Sequence, residues 1–359
     1  MRIVVAPDKF KGTLSARAAA VAIAAGLRRR RGRIEIVELP LADGGDGTID
    51  AICRARRARL ERCRARDPLG RPVEARFAIL DDGRAVVEVA EVGLGRIAPA
   101  ERDPVGATSA GVGDILVAAV EAGARSILLG IGGSASTDGG TGMAATLGWR
   151  FVGSDGSEVP AGGGGLRALV HIEPPRSPLP VDVVGLYDVD NALVGDRGAA
   201  KAFAPQKGAG SEDVDVLEGA LMRLAELVPE ASAGVGAGAG GGIGFGIVSF
   251  LGGRLVSGFD AVADLVELDE AIAGADLVVT GEGRLDEGSF GGKVPIGVAR
   301  RSQRKGVPCA VLAGEVAAEP HALRRAGVAR WTSLVDAFGE RARTDTFRTL
   351  SDAAADLVG

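Results

Sequence analysis

The chain has 359 residues, 46% hydrophobic and 25% charged, enough for roughly two domains with a core of their own. Its 42 Lys+Arg against 47 Asp+Glu leave a formal charge of −5, which argues against a dedicated nucleic-acid binder with a net basic face. The longest uncharged run, residues 231–253, is too rich in Gly and Ala for a lipid-facing helix, so no membrane association is expected.

Cys53, Cys63 and Cys309 form neither a CxxC pair nor a disulfide framework, and the N-terminus has no signal-peptide layout. A reducing, cytoplasmic setting is expected. Two scarcities narrow the chemistry. His171 and His321 are the only histidines and neither has a motif around it, which disfavours His-based triads and zinc sites. Lysine occurs six times, and five of these (Lys9, Lys11, Lys201, Lys207, Lys293) fall in Gly- or Asp-rich turns where a compact ammonium is useful.

In chain order, residues 3–6 are an apolar run of strand length, and Ser15 caps a helix reaching about residue 29. Residues 35–39 read as a second strand and 48–58 as a second helix. From about residue 60 the texture changes. Residues 62–66, 73–80 and 85–90 suggest an antiparallel patch, followed by a helix near 110–122 and a strand at 126–131. Residues 173–180, with four prolines, form a loop. Beyond residue 267, strand-length runs at 277–280, 309–313 and 331–335 are separated or followed by helices near 296–305, 319–325 and 346–357. Two βα units at one end and three at the other predict a five-stranded, doubly wound parallel sheet from residues 1–60 and 268–359. Residues 61–267 form an inserted second α/β domain. The arginine-rich stretches 28–33 and 54–66 read as solvated helix ends and faces.

Chemistry is expected in glycine-rich turns at the carboxyl ends of strands. The turn at residues 6–16 (APDKFKGTLSA) puts two lysines beside a helix N-terminus, an anion site by charge and dipole. Residues 39–48 (LPLADGGDGT) flank Gly44 and Gly45 with Asp43 and Asp46. Residues 129–143 offer the backbone of Gly132, Gly133 and Ser134 to a phosphate, with Asp138 adding a carboxylate. Asp188 and Asp190 end a strand at residues 185–193, and residues 280–299 carry Glu282, Arg284, Asp286 and Lys293. Cations, bare backbone and carboxylates together suit phosphoryl transfer. That reaction needs charge neutralisation, Mg²⁺ ligands and an acceptor for a hydroxyl proton. There is no Walker A sequence, because Glu287 stands where the leading Gly belongs. A G-x-G-x-x-G match at Gly236, Gly238 and Gly241 lacks a preceding strand. It keeps open an NAD(P)-dependent oxidoreductase of a small hydroxy acid. A nucleotide-binding module without catalysis is a further alternative.

As a set the turns resemble the bacterial glycerate kinase family that includes glycerate 2-kinase. PDKFKGTLSA, ADGGDGT, GGSASTDGG, YDVDNAL, APQKGA and TGEGRLDEGSFGGKVPIGVA occur in the family's order from about residue 1 to 299. Lys9, Asp46, Tyr187, Ala192 and Gly288 depart from the usual Ser, Glu, Cys, Pro and Gln. The resemblance implies a flavodoxin-like domain joined to a restriction-enzyme-like domain, and ATP-dependent phosphorylation of D-glycerate, with 2-phosphoglycerate the favoured product. Within that reading, Asp190 is the first choice of base and Asp188 the second, and Lys293 neutralises the transferring group. Lys9, Lys11 and Arg284 bind the substrate carboxylate. Gly44, Gly45, Gly132, Gly133, Ser134 and Asp138 address the nucleotide phosphates, and Asp43, Asp46 and Glu282 address Mg²⁺. The oligomeric state stays open, a homodimer included.

Overall fold

The structure, a computed structural model, describes residues 1–29, 34–232 and 234–357, so residues 30–33 of the first arginine-rich stretch lie outside the described residues. In chain order the strands are β1 (Arg2–Val5), β2 (Glu35–Glu38), β3 (Ala58–Arg66), β4 (Pro72–Leu80), β5 (Arg84–Glu88), β6 (Ser126–Gly130), β7 (Arg150–Val152), β8 (His171–Glu173), β9 (Asp182–Tyr187), β10 (Arg254–Ser257), β11 (Leu277–Leu285), β12 (Cys309–Val316) and β13 (Val328–Ser333).

The chain divides into two units. The first comprises residues 1–43, 50–56 and 259–359; the second comprises 44–49 and 57–258. Boundaries at 60/61 and 267/268 were expected from the sequence.

The first unit holds a five-stranded sheet in the order β13-β12-β11-β1-β2, parallel throughout. Counted within the unit this is the 2-1-3-4-5 order of doubly wound flavodoxin-like sheets, with its switch point between β1 and β11. Ile3, Val4 and Val5 are all fully buried, a continuous rather than alternating pattern, because helices cover both faces. The helix Ala16–Leu27 starts where the Ser15 hydroxyl accepts from Ala18 N at 3.2 Å. It packs with β1 residues and the helix Thr346–Asp356 in one apolar cluster. β11 runs to Leu285, past the residue 280 expected from the sequence. Gly281 and Gly283 do not end it, because pairing with β12 continues through Arg284↔Glu315. Glu282 and Arg284 therefore sit on a strand, not in a turn.

The second unit is built on a six-stranded sheet, β10-β9-β6-β5-β4-β3. The antiparallel patch predicted for residues 62–90 holds for β3 with β4, but β5 pairs antiparallel with β4 only at two positions and runs parallel to β6 over five. The connections explain this. A tight turn at Gly83 joins β4 to β5, whereas the helix Ala110–Glu121 carries the chain from β5 across to β6. The strand expected at 62–66 is present and starts earlier, at Ala58, so most of the arginine-rich stretch 54–66 is strand rather than a helical face. Its arginines line an exposed sheet edge, a placement that discourages edge-to-edge pairing. Phe77, Val87, Ile115, Leu116, Ile127 and Leu129 form the core beneath. Among the described residues no helix is long and apolar enough to cross a membrane.

Candidate active site

In the first unit, three carboxylates gather around the switch point. The residues after β1 stay tied to β11: Ala6 N donates to Val279 O and Asp8 N to Gly281 O, both at 2.8 Å. Thr280 Oγ1 donates back to Ala6 O at 2.6 Å. This places Asp8, Asp43 and Glu282 in one electrostatic environment, at 5%, 8% and 6% exposure. Burial, then repulsion from Asp43, holds the Asp8 carboxyl well above the ordinary carboxylate range. Lys9 opposes the shift by its charge and by its amide, which donates to Asp8 Oδ1 at 2.6 Å. Burial likewise pushes Glu282 up to about 7, countered by Ser289 Oγ donating to Oε1 at 2.7 Å and by the Lys293 charge. Lys293 stands at the N-cap of the helix Val294–Arg304. Sequence reasoning missed Asp8, although PDKFKG carries it directly after the first strand.

The substrate-binding candidates are more open. Lys9 is half-buried and Lys11 exposed. Arg284 is exposed beside Asp286 Oδ2 at 3.4 Å and Glu315 Oε2 at 3.3 Å, so acidic neighbours already share its guanidinium.

In the second unit, Gly44 and Gly45 meet Gly132 backbone to backbone. Gly132 N donates to Gly44 O at 3.3 Å, and a Cβ on Gly132 would lie 2.7 Å from Gly45 Cα. These glycines serve close packing of the turn on the end of β6. The first-turn amides of the helix Thr48–Ala55 are not bare. Glu88, buried at the end of β5, accepts from Ile49 N at 2.5 Å and from Gly47 N at 3.3 Å. Burial lifts its carboxyl to about 7, with those two amides pulling the other way. Asp46, expected at a metal, is exposed and contributes to the field at Glu88.

Two expectations need correcting. Asp138, expected at phosphate, is fully buried and committed to the protein. Its Oδ2 accepts from Ser109 N and Ser109 Oγ, each at 2.8 Å, and from Gly142 N at 3.2 Å; Oδ1 accepts from Gly140 N at 3.1 Å. It joins the N-termini of the helices Ala110–Glu121 and Thr141–Thr146, and a carboxylate so saturated has no business with an anion. Asp190, expected as base, lies past the end of β9. Its side chain is 61% exposed and its Oδ1 is 3.3 Å from Arg197 Nη2, in a turn that closes on itself through Asn191 Nδ2 donating to Arg197 O. Asp188, also beyond β9, is half-buried.

Gly133 reaches the surface while Ser134 is buried, its hydroxyl donating to Ser136 O at 3.2 Å. Lys207, in the APQKGA motif, is buried against this loop. The G-x-G-x-x-G run follows the helix Pro229–Ser232 rather than a strand and enters the helix Ala239–Leu251, so the dinucleotide fingerprint has no structural counterpart. Among the described residues no three His, Cys, Asp or Glu side chains are grouped to hold a metal ion, so Asp43, Asp46 and Glu282 are not a three-ligand set.

A 2-1-3-4-5 parallel sheet with buried carboxylates and lysines at its switch point defines the class: an α/β protein built to handle a small charged ligand. The comparisons with known proteins narrow it. The model of the Glycerate kinase family matches residues 3–358. The chain is 38% identical to the glycerate kinase of Bacillus subtilis (strain 168), across 99% of this chain and 98% of that protein. It is 39% identical to the glycerate 2-kinase of Escherichia coli (strain K12), covering 94% and 92% respectively. A crystal structure named for glycerate kinase 2 from Salmonella typhimurium LT2 superimposes with a TM-score of 0.81 at 36% identity, over 99% of this chain and 97% of that one. The chain belongs to the glycerate kinase family.

Proposed function

We propose that this protein transfers the γ-phosphoryl group of ATP to D-glycerate and that the product is 2-phosphoglycerate. The observation that carries the reading is the buried Asp8–Asp43–Glu282 group with Lys9 and Lys293 around it, in a chain matching the family model from end to end. The 2-position is supported by the likeness to the Escherichia coli glycerate 2-kinase.

Mg²⁺ fits this group. It commonly takes one or two carboxylates and completes its shell with phosphate oxygens and water, so three protein ligands are not required. Asp43 and Glu282 raise the proton affinity of Asp8, and Asp43 raises that of Glu282, so a divalent cation beside them would relieve that repulsion. When bound, it would neutralise charge on the nucleotide phosphates. The chain's own residues do the rest. Asp8 or Glu282 accepts the proton of the attacking hydroxyl, in place of the exposed Asp190, because burial raises the proton affinity of each. Lys293 and Lys9 balance negative charge as it builds on the transferring group. Arg284 and Lys11 hold the glycerate carboxylate, and the loop at Gly133 and Ser134, whose Gly132 amide is already taken by Gly44, offers its remaining backbone to the nucleotide phosphates. The protein works in the cytoplasm, a reading supported by its three free cysteines.

³¹P NMR of the product from ATP, Mg²⁺ and D-glycerate tests activity and regiochemistry together. A phosphate on O2 couples to one hydrogen and gives a doublet; on O3 it couples to two and gives a triplet. A glycerate-dependent doublet is expected. A triplet overturns the 2-position, and free phosphate without a phosphoglycerate signal overturns the kinase reading.

A further inference from the structure

Lys207 ends the short turn Pro205–Lys207 and is 3% exposed. Its ammonium donates to Ser136 O at 2.5 Å and lies 3.4 Å from Thr137 Oγ1. The same Ser136 carbonyl receives the Ser134 hydroxyl. One buried cation thus fixes the carbonyl that fixes the serine.

A run of three glycines that includes Gly241 of the G-x-G-x-x-G match makes this approach possible. Gly240, Gly241 and Gly242 are all left-handed, with φ of 65°, 74° and 93°. Gly241 O accepts from Gly139 N at 3.1 Å, and a Cβ on Gly241 would lie 2.7 Å from Lys207 Nζ. Asp138 is the carboxylate whose field reaches Lys207, yet its oxygens are taken by Ser109, Gly140 and Gly142. Among the described residues none makes an ion pair with Lys207. A buried charge without a paired partner is costly, and its retention needs a reason.

We propose that Lys207 is a positioning residue for the phosphate-binding loop, holding Ser134 through the Ser136 carbonyl and setting an unpaired positive charge behind the loop. The inference rests on reading the Gly132–Ser134 loop as a binder of nucleotide phosphate. Burial draws the Lys207 proton affinity down to about 8, with Asp138 opposing. The facing helix Ala239–Leu251 carries no ionisable side chain, and Arg102 donates to the Gln206 carbonyl of the turn at 3.2 Å. Above about pH 8 the loop therefore loses the charge behind it.

Steady-state kinetics of the full chain with ATP and D-glycerate test this. Lys207→Met should raise the KM for ATP about tenfold, the effect of one lost charge-assisted interaction, and leave the KM for glycerate nearly unchanged. Ser134→Ala should weaken ATP in the same sense, and the double variant should be no worse than Lys207→Met, since both act through one carbonyl. The wild-type KM for ATP should climb between pH 7.5 and 9.5, and the Met variant should lack that climb. If Lys207→Met does not fold, the wild-type profile decides, and a flat one overturns the proposal. A folded Met variant with wild-type KM for ATP overturns it as well. If Ser134→Ala keeps wild-type ATP affinity, the phosphate reading of the loop falls; if Ser134→Ala is impaired and Lys207→Met is not, only the role of Lys207 falls.

Discussion

A carboxylate buried beside other carboxylates weakens the folded chain and readies it for a cation, and substitution separates the two effects. Asp8→Asn keeps an oxygen for the Lys9 amide but removes the charge that Asp43 and Glu282 oppose. It should lower kcat by about 10²-fold or more while raising the ligand-free Tm by roughly 2–4 °C. A lower Tm would mean that the carboxylate, repulsion included, is worth more to the fold than the amide. Lys293→Ala should cut turnover at least about tenfold with little change in unfolding, because its charge acts on Glu282 from a half-buried helix start. Asp190→Asn should stay within roughly threefold of wild type in single-turnover assays, as an exposed side chain paired to the exposed Arg197 allows. At this scale the sequence showed where charged residues cluster but not which way they point. Asp138 and Asp43 both follow glycine-rich patterns, yet Ser109, some thirty positions away, turns one of them into a structural joint. Spacing along the chain carries no trace of that partner.

The helix Thr48–Ala55 shows what one element owes to a residue far from it in sequence. Its first amides rest on Glu88. Glu88→Ala should cost about 1–3 kcal/mol, seen as a lower urea midpoint at unchanged m, because two amides lose their acceptor. Glu88→Gln should cost less above pH 7, where the wild-type carboxylate bears the burial penalty of its charge. The helix itself was legible, from an apolar period following a glycine turn; its cap was not, since Glu88 read only as the end of a strand. The reach of β11 was hidden for the opposite reason. Glycines at 281 and 283 look like a stop, and only the neighbouring β12 supplies the partners that carry the strand through them.

For the molecule as a whole, Asp8, Glu88 and Glu282 each bind a proton more tightly folded than unfolded. Their contribution to stability is therefore complete below the ordinary carboxylate range; that of Glu88 and Glu282 disappears as pH rises through about 7, and that of Asp8 is likewise lost as pH rises through its raised folded value. Lys207 acts in the other direction: the folded chain releases its proton near 8, ahead of the unfolded chain, so its penalty fades only above that pH. Without nucleotide or Mg²⁺, urea unfolding should show higher stability at pH 5.5 than at pH 7.5. A stability that climbs steadily across that interval would contradict the burial of these acids. The five-stranded order was readable because paired βα units at the two ends of the chain admit few arrangements. The exchange of partners by β5 in the second unit was not, because it depends on which connection is long enough to reverse direction.

The place of β11 beside β1 also has a consequence on the ribosome. Thr280 and Ala6, hydrogen-bonded across the two strands, stand 274 residues apart. At 5–20 residues per second, the first strand waits roughly 14–55 s after its own synthesis for its central neighbour to be made. During that interval the whole second unit emerges, with its own sheet and core, and it can fold as the nascent chain lengthens. The strand made first is thus among the last to be paired on both edges, and its apolar Ile-Val-Val segment lacks its central neighbour for that time.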